Sequence, residues 1–540
     1  MIQEPIPAQA TVFPSALPDA GEVWRRYRQS AAFKQRLGLY DTVRENENFF
    51  IGNQWEGVQS NGLPTPVFNF LKRAVMYQVA SITSDNIAAR VSAALCTDTR
   101  TKAEIERIAQ VVNEQITQIM ERNALPALLQ AYARNAAVDG DACLYTWFDP
   151  AAETGQAVRG EIVTELVENT RVHFGDSRSR EVQTQPWILL SRRLPVEEVR
   201  WRAAKNSVSA EECALIRPDG DCAEPSEDDE RVTLLSFFRR DRETGHIWQM
   251  ECTEHVTVRA AVDTELTRYP ITWLCWDYVQ DCMHGQASVT GLKPNQMFIN
   301  RIFAMTMLSL MTTAYPKILY DKTRLPGGWD SRVGAAIAVN GGDMSEVARI
   351  MEPAQISPQV AQFIKAAVDY TQGFLGTPDV SLGTVRPENA SAIIALQRAS
   401  NTPLELTRQS LYRSVEELCL IYIDQMRAFY GVRRVEQTGI EGAAADAPPF
   451  GVREAAEARF LVDFDFKRAL RGLPMAVRVD VGASSYWSEI ASMQTLDNLL
   501  AQGKIDLLAY LERVPAGYIP KKQALIDRLR SEAQTKEEHV

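Results

Sequence analysis

The chain is poor in histidine, with five residues in 540, and it lacks the short signatures of most catalytic chemistries. There is no Walker-type Gly-x-x-x-x-Gly-Lys loop to cradle a nucleoside triphosphate. Gly-x-Gly-x-x-Gly, His-Glu-x-x-His and Gly-x-Ser-x-Gly are also missing. Eight cysteines in 540 residues, at 96, 143, 213, 222, 252, 275, 282 and 419, are too sparse for a disulfide scaffold; they form no Cys-x-x-Cys, and free thiols in a reducing compartment are expected. No apolar run is long enough to span a bilayer. The best, Ile302 to Pro316, lies uncharged between Arg301 and Lys317 but falls short of about 18–20 residues. Met1 to Asp19 is Pro- and Ala-rich without a basic start and apolar core, so it does not read as a secretion signal. These absences point to a soluble subunit of cytoplasmic origin.

Basic residues are also in deficit. Lys and Arg number 58 against 69 Asp and Glu, a formal charge of −11. Tight wrapping of nucleic acid over the whole surface is disfavoured, because that requires cations to displace counterions from phosphates. Local contact with DNA that must be released is compatible. Cys252-x-x-His255 and Cys282-x-His284 offer four zinc-ligand types, but neither half has a structural-zinc spacing, so no metal or cofactor is expected. Asp463 and Asp465 alternate with Phe and read as the solvent face of a strand. No nucleophile has a nearby base, so an enzyme is not expected.

What is present is an ordinary folded composition, 45% apolar and 24% charged. The length allows three or four domains at roughly 150 residues each, or one elongated subunit. Residues 1–21 read as a flexible arm and 22–50 as a helix that breaks at Gly52-Asn53 beside Phe49, Phe50 and Trp55. Asn69 to Arg90 is again helical. Thr101 to Glu104 fits a capping box, and Ile105, Ile108, Val112, Ile116 and Ile119 follow on one helical face up to Asn123. A second helix spans 125–138, and Ala142 to Phe148 is strand. From 158 to 275 the pattern is mostly β, interrupted by an insert with seven acids between Asp219 and Glu230 that reads as a solvated loop.

Leu292 to Ala314 reads as one helix of 23 residues, roughly 35 Å long. Its apolar residues cover more than one face, so it must pack on both sides. Lys317 to Tyr320 is strand, with a turn at Pro326-Gly327-Gly328. Ser357-Pro358 opens a helix to Leu375, Gly376 to Glu388 is a loop, and Asn389 opens another helix. That one restarts at a second capping box, Thr402 to Glu405, and runs to Gly431. Gly439 to Gly451 is a linker. Phe460 to Phe466 and Val477 to Val481 suggest a hairpin, and the last sixty residues are helical, with a break at Gly503.

The order of these parts resembles the portal proteins of tailed bacteriophages. Tyr40 to Trp55 is similar to that family's helix ending in an aromatic-Gly-x-Gln-Trp turn. Phe68-Asn69-Phe70-Leu71-Lys72 resembles its Asn-x-x-Lys/Arg helix start. Gly376-Thr-Pro-Asp through Asn389-Ala-Ser391-Ala resembles its loop and helix entry, often Asn-x-Ser-Gly, with Ala392 in place of that Gly. The resemblance covers roughly 40–520. It implies an α+β, elongated portal-type subunit with long stem helices, an αβ wing and clip, and a helical crown. The parts it implies are a wing at 22–291, stem helix 292–316, clip 317–356, returning stem helix 357–375 and tunnel loop 376–391. A long wing helix at 392–434, linker and wing hairpin at 435–484 and crown at 485–540 complete it.

By resemblance the function is a ring-shaped channel, a dodecamer at one capsid vertex of the virion, assembled in the bacterial host cytoplasm. Double-stranded DNA is packaged through it by a docked terminase and later ejected. Implied partners are other copies of the chain, DNA without sequence specificity, the terminase large subunit, a head-completion adaptor, and the major capsid and scaffolding proteins, with no membrane. The expected channel residues are Lys365, Thr384, Arg386, Glu388 and Asn389. Lys317, Lys322, Arg324 and Arg332 would form the clip's docking rim. Phe298, Ile302, Phe303, Met307, Leu310 and Met311 would pack between stems. Residues 292–391 carry nine bases and eight acids, so the segment expected to face DNA is near neutral while the rest is acidic. Two alternatives remain at this stage: a virion or scaffold protein that forms no channel, and a soluble enzyme of unknown chemistry.

Overall fold

The computed structural model describes residues 18–350 apart from 61, 85–86, 93–98, 157, 220–229, 315–317, 331, 333–335 and 344–345. Beyond these it describes part of 359–369, and residues 402–439, 458–472, 476–481, 496–502, 504–514 and 525–526. The architecture is mixed α and β.

Helix α1 (Ala20–Arg36) starts at Asp19, whose side chain accepts the Glu22 amide at 2.7 Å. The helix thus begins inside the stretch expected to be a flexible arm. The single helix expected over 22–50 is two. Gly38, at φ 67°, turns the chain into α2 (Leu39–Ile51). A left-handed residue cannot continue a right-handed helix, and glycine adopts it without steric cost. Helix α3 (Phe70–Thr83) buries Leu71, Val75 and Val79 but stops short of Arg90, because Ile87–Ser92 is strand β1. Helix α4 (Thr99–Arg122) buries Ile105, Val112, Ile116 and Ile119, with Ile108 packed against the same core. It begins two residues before Thr101, so the expected capping box does not mark its start. Asn123 does close it, donating to the Ile119 carbonyl at 2.8 Å.

Helix α5 (Leu125–Asp139) leads into β2 (Asp141–Asp149), the central strand of a three-stranded antiparallel sheet. Its neighbours are β3 (Glu161–Val167) and β9 (Ile271–Cys275). A five-stranded antiparallel sheet follows the order β4 (Val172–Phe174), β5 (Trp187–Pro195), β6 (Arg231–Arg240), β7 (Ile247–Cys252) and β8 (Thr257–Asp263). Side chains alternate across it. Leu189, Leu235 and Phe237 pack under Val23 and Trp24 of α1, while Ile188, Leu190 and Phe238 face Tyr145 and Ile271 of the smaller sheet. Two helices interrupt the stretch read as mostly β, α6 (Val196–Lys205) and the short α7 (Ala210–Ala214). Val199 and Ala203 of α6 are buried against Leu234 and Val258. Asp219 corrects the solvated-loop reading of the acidic insert at its first residue. It accepts the Thr233 amide at 2.6 Å and lies 3.4 Å from Arg193.

Helix α8 (Ser288–Ala314) covers the long apolar helix expected there. Strands β10 (Ile318–Tyr320) and β11 (Ala348–Ile350) pair antiparallel around buried Leu325 and Val347. Thr402–Leu404 forms a 3-10 turn before α9 (Glu405–Phe429), and Leu404 rather than Thr402 stands at that helix's cap; the helix expected from Asn389 to 401 lies outside the described residues. Leu411, Val415, Leu418, Tyr422 and Met426 bury its face on the three-stranded sheet, where Tyr422 meets Thr164 Oγ1 at 2.9 Å.

The expected hairpin between 460–466 and 477–481 is not formed. Strand β13 (Ala458–Asp465) pairs with β12 (Val432–Gly439), which the sequence reading did not identify. Strand β14 (Ala476–Val481) pairs instead with β1. Between them Asp465 caps the short α10 (Phe466–Ala469), and fully buried Phe466 anchors the turn. Asp465 is therefore a helix cap as well as an outward strand residue.

Candidate assembly and channel surfaces

The N-terminal half of α8 sits in a socket built from α2, α3 and the turn between them. Val289, Leu292, Ile299 and Ala304 are buried there. A polar ladder lines the seat. Gln296 donates to the Phe68 carbonyl at 2.8 Å and to Asn300 Oδ1 at 2.9 Å, and Asn300 donates to Gln54 Oε1 at 2.6 Å. Gln54 in turn holds the Phe49 carbonyl at 3.0 Å. Asn69 caps α3 through the Lys72 amide and reaches the Phe50 carbonyl at 2.9 Å. Gln54 and Asn69, the polar residues of the two N-terminal motifs, thus hold the seat of α8 together. Buried amides require partners in an apolar site, and most of this ladder's groups have one. Gln296 and Asn300 were not singled out from sequence. Their signal was two amides four residues apart on one face of a mainly apolar helix.

Beyond Ala304 the helix changes. Met305, Met307, Leu308, Leu310 and Met311 are exposed, Leu310 at 59%, and Phe298 is 43% exposed nearer the root. At roughly 100° per residue these side chains point in several directions round the axis. Of the six residues expected to pack between subunits, Phe298, Met307, Leu310 and Met311 are exposed, while Ile302 and Phe303 are half-buried. Phe303 stacks on Phe68 with ring centroids 4.2 Å apart. A soluble chain rarely leaves so contiguous an apolar surface uncovered unless another molecule packs on it.

The charged expectations divide. Lys365 is exposed on a helical segment beside Phe363, which is 66% exposed. Thr384, Arg386, Glu388 and Asn389 lie outside the described residues, as does Lys317. Lys322 is exposed. Arg332 is paired with Asp330 at 2.6 Å, and Arg324 lies 3.7 Å from both Asp321 and Glu346. The two arginines therefore have their charge largely balanced within the β10–β11 unit, and Lys322 is the more available cation.

The zinc-ligand types do not converge. Cys252 is buried in the five-stranded sheet, and His284 is held by Asp141 at 2.9 Å. Among the described residues no group of three or more His, Cys, Asp or Glu is placed to hold a metal. No described helix is long and apolar enough to cross a membrane. The strongly perturbed groups are structural. Lys34 of α1 is buried and donates to the carbonyls of Asn169, Thr170 and Val172 at 2.9, 3.0 and 2.5 Å. Burial pulls its pKa down to about 7, against the opposing pull of Asp141 and Cys143. Burial, aided by the nearby Glu47 charge, lifts Asp139 to about 7. Burial also holds the His173 imidazole well below its ordinary range, so it stays neutral beside Ser30.

Against known families, the model described as "Phage P22-like portal protein" matches residues 197–446. The match runs from α6 through α8, the β10–β11 unit and α9 to just past β12. No curated protein matches the chain.

Proposed function

We propose, from the premise that this is a phage portal protein matching its family over residues 197–446, that the chain is one subunit of a ring through which double-stranded DNA enters and leaves a capsid. The portal family is structural rather than enzymatic. The observation that carries the reading is the apolar outer half of α8, uncovered in one chain and lying within the matched region. In a closed ring each subunit offers two different faces to its neighbours, and such a helix is covered on both sides. Fully burying each Met, Leu or Phe side chain stabilises the assembly by about 1.5–3 kcal/mol, less where it is already half-covered.

In this reading α8 is the stem, the β10–β11 unit the clip, and the segment carrying Lys365, Thr384, Arg386, Glu388 and Asn389 borders the channel. The near-neutral balance of 292–391 displaces few counterions from passing DNA, so the duplex slides without being gripped or read. The terminase motor, and later a head-completion adaptor, would dock on the clip, where Lys322 and Arg349 are exposed cations. Capsid and scaffolding proteins would surround the ring at one vertex of the virion, which is assembled in the host cytoplasm. Negative-stain images of purified protein test the proposal. Rings of about twelve subunits with a central hole are expected; compact monomers, sheets or filaments would reject it.

A further inference from the structure

Beside the N-terminal end of α1, the five-stranded sheet carries an open groove of about 800 Å³. Trp187 of β5 lines it, together with Arg26 of α1 and Arg239, Arg240 and Arg242 around the end of β6. Two acids share the lining, Glu22 and Asp241, and both are engaged. Glu22 holds Arg26 at 2.5 Å. Asp241 is turned into its own hairpin, accepting from Thr244 Oγ1 at 2.9 Å and from the Glu243 amide at 3.3 Å, and these bonds keep its carboxyl below the usual range.

The β6 arginines are not neutralised in the same way. Arg240 donates to neutral acceptors, Gln183 Oε1 at 3.3 Å and the Thr267 carbonyl at 3.1 Å, and lies over the Tyr269 ring. Arg239 makes no ion pair among the described residues. Arg26 lies over Trp187, 5.7 Å from its ring centroid. In a chain of net charge −11, this groove concentrates positive charge locally.

The type of anion follows from the walls. At the groove Trp187 of β5 is paired with Arg239 of β6, and Arg239 and Arg240 with Trp248 and Ile247 of β7, so the strand backbone there is already engaged. No free edge is offered to which an extended acidic peptide could add as a strand. Phosphates need only side-chain donors, and the planar guanidinium fork suits them. An open groove also admits a continuous chain of phosphates.

We propose that this groove binds the phosphodiester backbone of nucleic acid on the outer surface of the protein, away from any channel and without reading sequence. The inference rests on the portal reading only in taking DNA as the nucleic acid the chain meets. The probe is a fluorescent, covalently closed duplex circle, which cannot thread a ring and so reports outer surfaces alone. The full chain is expected to bind it in a salt-sensitive manner. Arg239→Ala and Arg242→Ala should each weaken binding about three- to tenfold and lower the salt slope by about one, with subunit assembly in negative stain unchanged. Circle binding that is unaffected in the double variant overturns the proposal. So does displacement of the circle by an Asp/Glu-rich peptide, or binding that appears only after residues 1–17 are removed. Arginine-dependent binding without rings would reject the ring reading alone, and rings that ignore the circle would reject the groove alone.

Discussion

Asn300, on the buried side of α8, donates to Gln54 at 2.6 Å across 246 positions of sequence. The bond joins the long apolar helix α8 to the turn that ends α2. Asn300→Ala leaves Gln54 Oε1 and one donor of Gln296 without this partner in a closed site. The expected loss is about 1–3 kcal/mol, the cost of an unsatisfied buried polar group. Chemical denaturation should show it, and a cycle with Gln54→Ala should show coupling rather than additivity.

The outer half of α8 should affect assembly and not folding. Met307→Glu and Leu310→Glu place charges on surface that is exposed in the single chain. Thermal stability of the unassembled chain is expected to change by less than about 0.5 kcal/mol, while rings are lost. Size-exclusion chromatography with light scattering reads the second effect and calorimetry the first.

Lys34 imposes a pH dependence of known sign. Its pKa is about 7 in the folded chain and 10.5 as the ordinary value. Between these the unfolded chain binds more protons, so stability rises with pH, by at most about 1.4 kcal/mol per unit. Below pH 7 the contribution is gone. Lys34→Met should flatten the stability profile between pH 7 and 9.5, as measured by urea titrations at each pH.

Asp139 acts in the opposite direction. Its pKa rises from 3.8 to about 7 on folding, so the folded chain binds more protons in that window. The contribution is full below pH 3.8 and is lost as pH rises through 7. Asp139→Asn should therefore gain stability relative to the parent as pH rises from 5 to 8, with no gain at pH 4.

Gly140 joins α5 to β2 at φ 98°, and a Cβ there would lie 2.8 Å from the Gly285 carbonyl. Both strain and the close backbone contact oppose Gly140→Ala. A loss of more than about 2 kcal/mol is expected, visible as a lowered melting temperature.

Several helices were legible because they carry one repeating apolar face. Ile105 to Ile119 on α4 and Leu411 to Met426 on α9 could be read from spacing alone. The match over residues 197–446 falls on the segment whose order of parts suggested a portal protein. Strand partners were not legible. Val477, Val479 and Val481 alternate equally well whichever strand they pair with, and a nearby hairpin is the default until a cap such as Asp465 turns the chain away. The balance of charges in the β10–β11 unit was hidden too, since a base count does not show that Arg332 faces Asp330.

The amino-acid sequence by itself determined the missing catalytic signatures, the negative charge, and a long helix too apolar to stand alone in water. These depend on composition and local periodicity, which need no partner to be read. Tertiary structure decided that β14 pairs with β1, that amides from 54, 296 and 300 meet, and that α8 is seated at one end and bare at the other. Those outcomes depend on which distant groups must satisfy one another once water is excluded. A linear pattern does not encode that pairing until the chain has folded.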